Sequence, residues 1–164
     1  MRSAVMPDRP ITFGILKPGP DTPNGVPYVR VADFPNDPLN LQTIRRTTPE
    51  IEKAFARARL RKGDILLSIR GTVGRVCVVP QELTNANITQ DTARLSIEAP
   101  LNSEFVKLFL RSPDTQNRMQ KAVKVVAVRG LSFAGAPKNL AVPFFLKKMR
   151  KEFCDRELLP VVLV

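Results

Sequence analysis

The sequence predicts a single α/β (α+β) domain, with a mixed or antiparallel-rich twisted sheet and flanking helices. Three observations predict it. Short apolar runs of period two recur between Gly/Pro turns, most clearly at Gly63-Asp-Ile-Leu-Leu-Ser-Ile-Arg-Gly-Thr72. There Ile65, Leu67 and Ile69 share one face, and Leu66, Ser68 and Arg70 share the other. Helical patterns with capping residues stand at 47–62 and 103–111. The hydrophobic content of 43% over 164 residues suits one domain with a real core.

Taken in order, residues 1–10 read as a flexible lead-in. Pro18, Gly19, Pro20, Pro23 and Gly25 make the next stretch loop chemistry, with Lys17 inside it. Val26–Val31 reads as a strand, with Val29 and Val31 on one face and Arg30 on the other. A helix starts at Thr47-Thr-Pro-Glu. Thr47 or Thr48 caps it, Pro49 suits its first turn, and Glu50 completes a capping box if Thr47 is the cap. Ile51, Phe55 and Ala58 form its buried stripe. Arg57, Arg59, Arg61 and Lys62 load its end before Gly63; they either complement the helix dipole or contact an anionic partner.

Strands follow at 65–70, 75–79 and 92–97. The polar stretch Thr84-Asn-Ala-Asn-Ile-Thr-Gln-Asp91 joins the last two. A helix spans Ser103–Arg111, with Phe105, Leu108 and Phe109 inward. Ser112-Pro113-Asp114 caps another, with Met119 and Val123 on its apolar side. Val125–Val128 reads as a short strand broken by Arg129-Gly130.

The charge balance is 26 Lys+Arg against 15 Asp+Glu, a net +11. Such an excess favours an anionic partner, nucleic acid foremost, over a merely solvated basic surface. There is no histidine and no cysteine pair at metal spacing. Zinc fingers, histidine acid–base chemistry and Ser–His or Cys–His nucleophiles are thereby excluded, and neither metal nor cofactor is expected. Cys77, within Val76-Cys-Val-Val79, reads as a small buried hydrophobe. With no signal peptide and no long apolar run, a cytoplasmic, membrane-free protein is expected.

Several segments, in order, resemble the target recognition domain of type I restriction–modification specificity subunits. Gly25-Val-Pro-Tyr-Val-Arg-Val-Ala-Asp33 is similar to that family's Gly-(Ile/Val)-Pro-Tyr-(Ile/Val)-Arg strand, and Gly63-Asp-Ile-Leu66 to its Gly-Asp-Ile-Leu strand. Asn87-Ile-Thr-Gln90 with Arg94-Leu95, Phe109-Leu-Arg-Ser-Pro113, Gly130-Leu131 and Leu140-Ala-Val-Pro143 resemble its later segments. The resemblance runs from Ile11 to Pro143. It implies one non-catalytic recognition domain over 11–143 that reads one half of a bipartite double-stranded DNA site. It also implies methyltransferase (modification) and restriction subunits as partners. The residues agree, since the chain has no Asp/Asn-Pro-Pro-Tyr/Phe methyltransferase motif and no convincing Gly-rich cofactor loop.

Reading bases in duplex DNA needs planar donors for guanine and amides for adenine. Arg30, Arg70, Asn87, Gln90 and Arg129 are of the right type and lie in or next to turns. Thr72 stands in the same Gly turn as Arg70. Lys17, Arg75 and Lys124 suit phosphate contact. Each carries a structural alternative. Arg30 and Arg70 also read as salt-bridged strand exits, Asn87 and Gln90 as loop caps, and Arg129 as a donor to a local carbonyl.

Residues 144–164 form an amphipathic segment, with Phe145, Met149 and Phe153 on one side and the apolar 158–164 tail after them. It reads either as a shortened spacer helix that self-associates or meets a methyltransferase subunit, or as a helix docked on its own domain. Two rival functions stand beside duplex reading. One is an RNA or single-strand binding module, although only 6% of residues are aromatic. The other is the detached recognition half of a methyltransferase.

Overall fold

The computed structural model describes residues 5–35, 38–99 and 101–128. Arg129 and the segment 144–164 lie outside the described residues, as do Gly130-Leu131 and 140–143. Strand β1 is Thr12–Phe13, β2 Val26–Val29, β3 Arg45–Thr47, β4 Ile65–Ser68, β5 Val76–Val78, β6 Asn87–Ile88 and β7 Thr92–Leu95. Helix α1 is Pro49–Lys53, α2 Ser103–Arg111 and α3 Pro113–Val128.

The strands form two sheets. The first has the order β1-β7-β4-β5 and is antiparallel throughout; the second has the order β3-β2-β6. Within the second, β2 runs antiparallel to β3 and parallel to β6. The mixed, antiparallel-rich α+β architecture expected from the sequence is therefore present.

The alternation in β4 builds the layers. Ile65, Leu67 and Ile69 pack with Ala93, Leu95, Val76, Val106, Leu110 and Met119, so one face of the first sheet is covered by α2 and α3. Leu66 and Cys77 lie on the other face, in a second cluster with Val29, Ile88, Leu60 and Phe34. Every residue of β4 is buried, because this strand is covered on both faces. Cys77 is fully buried, as its apolar setting suggests.

Several elements differ from the sequence reading. Residues 5–10 are attached: Val5 bridges Ile97, and Arg9 pairs with Asp64 at 3.0 Å. Thr47 belongs to β3, where its hydroxyl donates to the Pro18 carbonyl, and Thr48 caps α1 by accepting from the Ile51 amide. α1 is only five residues long; a separate short turn of 3-10 helix follows at Ala56–Ala58. Helix α2 has the expected limits but a different phase. Val106 and Leu110 point inward, while Phe105 and Leu108 are 41% and 64% exposed. Both apolar stripes satisfy helical spacing, and only the position of the sheet selects between them. Val125–Val128 is the last turn of α3, not a strand. β-branched residues disfavour helix only weakly, and an established helix carries them.

Candidate nucleic-acid interface

Strand register determines which loops meet. Ser68 at the end of β4 pairs with Thr92 at the start of β7, and Phe13 at the end of β1 pairs with Ala93. Val29 at the end of β2 pairs with Ile88 at the end of β6. The chain leaving β1, the chain leaving β2, the β4–β5 hairpin and the β6–β7 connection therefore emerge at one end of the paired sheets. That end carries Lys17, Arg30, Arg70, Thr72, Arg75 and Gln90.

The loops there are tied to one another. Ile15 bridges Thr89 in parallel, with its amide donating to the Ile88 carbonyl at 2.7 Å. Gln90 donates from its backbone to Ile15 O at 2.9 Å and from Nε2 to Leu16 O at 3.3 Å, so its side chain holds the Lys17 loop. Lys17 itself is exposed. In the β4–β5 hairpin, the buried Ser68 hydroxyl donates to Thr72 O at 2.5 Å and accepts from the Arg75 amide at 2.8 Å. Gly71 and Gly74 have φ values of +67° and +100°, backbone that side chains strain. Arg75 Nη1 reaches Val31 O at 3.2 Å, joining the hairpin to the chain after β2.

Arg30 is engaged through Nε and Nη2. Its Nε and Nη2 donate to the carboxylate of fully buried Asp33 at 3.1 and 2.7 Å, and Nη2 also reaches Thr43 O at 2.7 Å. The hydrogen bond to Asp33 raises the Arg30 pKa above its ordinary value. Arg30 thus shapes the loop after β2. Arg70 is more open, with its side chain 37% exposed beside Asp91.

Asn87 does not join this end. It is fully buried, and its Nδ2 donates to Glu52 Oε1 and to Phe55 O, both at 3.1 Å. Within the polar stretch read as joining two strands, Asn87 and Ile88 form β6 of the second sheet. Lys124 lies on α3.

Other charged residues hold the opposite end, among them Arg59, which the sequence offered as a helix-dipole complement or an anion contact. Arg59 forks onto Glu52 at 2.7 and 2.6 Å, lowering the Glu52 pKa against the effect of burial. Fully buried Arg94 donates to Ser96 Oγ and to the carbonyls of Pro10 and Arg57, and Ser96 donates to Asp64 at 2.6 Å. Desolvation lowers the Arg94 pKa. One signal was available for this network: an arginine in the apolar run Thr92–Leu95 has no reason to be there without a buried partner.

Among the described residues no cluster of His, Cys, Asp or Glu is arranged to hold a metal, and no helix is long and apolar enough to cross a membrane. No protein-family model matches the chain. It is 31% identical over 144 residues to the type I restriction enzyme EcoBI specificity subunit of Escherichia coli, covering 87% of this chain. The chain spans 30% of that relative's length. Solved structures with similar coordinates include an HsdS subunit from Thermoanaerobacter tengcongensis, with TM-score 0.49, 17% identity, and coverage of 91% of this chain and 38% of that one. Another comes from work on complex assembly and conformational transition of the type I R-M system, with TM-score 0.48, 17% identity, and coverage of 93% and 39%.

Proposed function

We propose that this chain, which belongs to the specificity-subunit family of type I restriction enzymes, reads one half of a bipartite sequence in double-stranded DNA. In this role it is non-catalytic and directs modification and restriction subunits to the site.

One observation carries the reading: the loops at one end of the paired sheets bring Lys17, Arg70, Thr72, Arg75 and Gln90 together in a chain of net charge +11. Fixed strands behind adaptable loops are how rigid scaffolds present binding residues. Arg70, half-exposed at the hairpin mouth, is the base reader. Lys17 and Arg75 hold phosphates, while Arg30 and Gln90 set loop shape and offer their remaining edges to DNA. Arg129 is a further reader on this proposal. Residues 11–143 form the recognition domain, and 144–164 form the segment through which copies associate.

Salt-dependent binding tests the proposal. With roughly six phosphates neutralised, log affinity for duplex DNA falls against log salt with a slope near −5. Duplex should win in competition with single strands and RNA. A flat salt response, or preference for RNA, defeats the proposal. Methyl transfer from S-adenosylmethionine by the purified chain alone defeats its non-catalytic part.

A further inference from the structure

The connection between β2 and β3 begins and ends at the loop end of the sheets. Val29 closes β2 there, and Arg45, which opens β3, pairs with Tyr28. Within this connection stands a single turn of 3-10 helix, Leu41–Thr43. It supplies a group that the loop end otherwise lacks. Of the amides expected to read adenine, Asn87 is buried in the interior, and Gln90 directs its Nε2 to Leu16 O at 3.3 Å. Gln42, in the middle of the turn, is exposed.

The turn is braced from within. Leu39 before it is buried in the second apolar cluster, and Ile44 after it packs against the same cluster. Asn40 Oδ1 accepts from the Gln42 amide at 3.0 Å, and the Asn40 amide donates to Asp33 O at 2.8 Å. The Thr43 hydroxyl donates to Asp33 Oδ1 at 2.8 Å, and Arg30 Nη2 holds Thr43 O at 2.7 Å. Fully buried Asp33 thus pins both ends of the turn. Between these anchors Leu41 is 44% exposed, beside the exposed Gln42. A lone exposed leucine needs no explanation. Here it adjoins an exposed amide on a fixed backbone, and side chains on a braced turn have less freedom to lose on binding.

An A·T pair suits such a couple. In the major groove adenine shows an acceptor at N7 and a donor at N6, which one carboxamide matches with two hydrogen bonds. Across the pair, thymine shows its methyl group, which favours an apolar side chain. We infer that the Leu41–Thr43 turn reads an A·T pair, with the Gln42 carboxamide on adenine and Leu41 against the thymine methyl. The inference rests on the proposed duplex-reading role and adds one base pair of the target to it. It also sets a reader on the second sheet, beside Arg70 on the first.

The test uses the full chain, Gln42→Ala, Leu41→Ala and Lys53→Ala, each selecting duplexes from a random pool. Lys53 is exposed on α1, which follows the far end of β3. The wild type should select an A·T pair at one position where Gln42→Ala loses a preference of roughly five- to hundredfold, with the other positions unchanged. Lys53→Ala should select the wild-type sequence. In the selected duplex, uracil in place of that thymine removes only the methyl. It should weaken the wild type about two- to fourfold and leave Leu41→Ala unaffected. The deaza analogue of that adenine lacking N7 should weaken the wild type and not Gln42→Ala. Both side chains are exposed, so both variants should melt with the wild type; a lower melting temperature assigns the residue to the fold and overturns its reading role. Gln42→Ala selecting the wild-type sequence, weakening all duplexes equally, or losing preference at a G·C pair overturns the inference and leaves duplex reading intact. Uracil weakening Leu41→Ala as much as the wild type overturns the thymine contact. A wild type that selects no sequence defeats the recognition role itself.

Discussion

Arg70 Nη1 lies 3.1 Å from Asp91 Oδ1, joining the exit of β4 to the start of β7. The contact has ion-pair distance, yet Oδ1 accepts no well-formed hydrogen bond. A partly exposed pair of this kind contributes only about 0–1 kcal/mol to stability. Arg70→Ala should therefore leave the melting temperature almost unchanged. The same change should cost roughly 1–3 kcal/mol of specific duplex binding and relax discrimination at one base pair. Uniform weakening across sequences would make Arg70 a phosphate anchor, and unfolding would make it structural.

Asn87 has the opposite character. Its side chain satisfies Glu52 and the Phe55 carbonyl inside the protein. Asn87→Ala should destabilise the fold by ~1–3 kcal/mol, the cost of buried polar groups left without a partner. Denaturant midpoints should show the loss, and the base preference of the folded fraction should not change.

Glu52 gives the stability a pH dependence. Arg59 lowers its folded-state pKa below the ordinary 4.5. The stabilisation is present above that ordinary value and is lost as pH falls through the lower folded value. Glu52→Gln removes it, so the stability gap between wild type and variant should be widest near neutrality and shrink in acid. Urea midpoints from about pH 6 to about pH 3 measure this. A gap that stays constant refutes it.

Residues 144–164 should drive concentration-dependent self-association, burying Phe145, Met149, Phe153 and the 158–164 tail. Two copies about a two-fold axis would present two recognition ends, suiting a palindromic bipartite site. Sedimentation over a wide concentration range, on the whole chain and on one ending at Pro143, tests this. A monomeric whole chain with a destabilised shorter one favours docking within the molecule instead.

Local chemistry made much of the molecule legible. Alternation in Ile65–Ile69 assigned its faces, the Ser112-Pro113 step marked the start of α3, and glycine turns located the β4–β5 hairpin. These signals act between residues close in sequence, so the chain carries them alone. The partner of each face was another matter. That Leu66 meets a second sheet, that Asn87 is an interior brace, and that Val106 turns inward in place of Phe105 depend on pairing between distant segments. Tyr28 pairs with Asn87 in parallel, and no local pattern specifies that register. The candidate site divides in the same way. Its arginines were visible as residues without a packing reason, but their gathering at one end follows from strand direction. Strand direction is a property of the sheets, and it exists only once β2, β4, β6 and β7 have found one another.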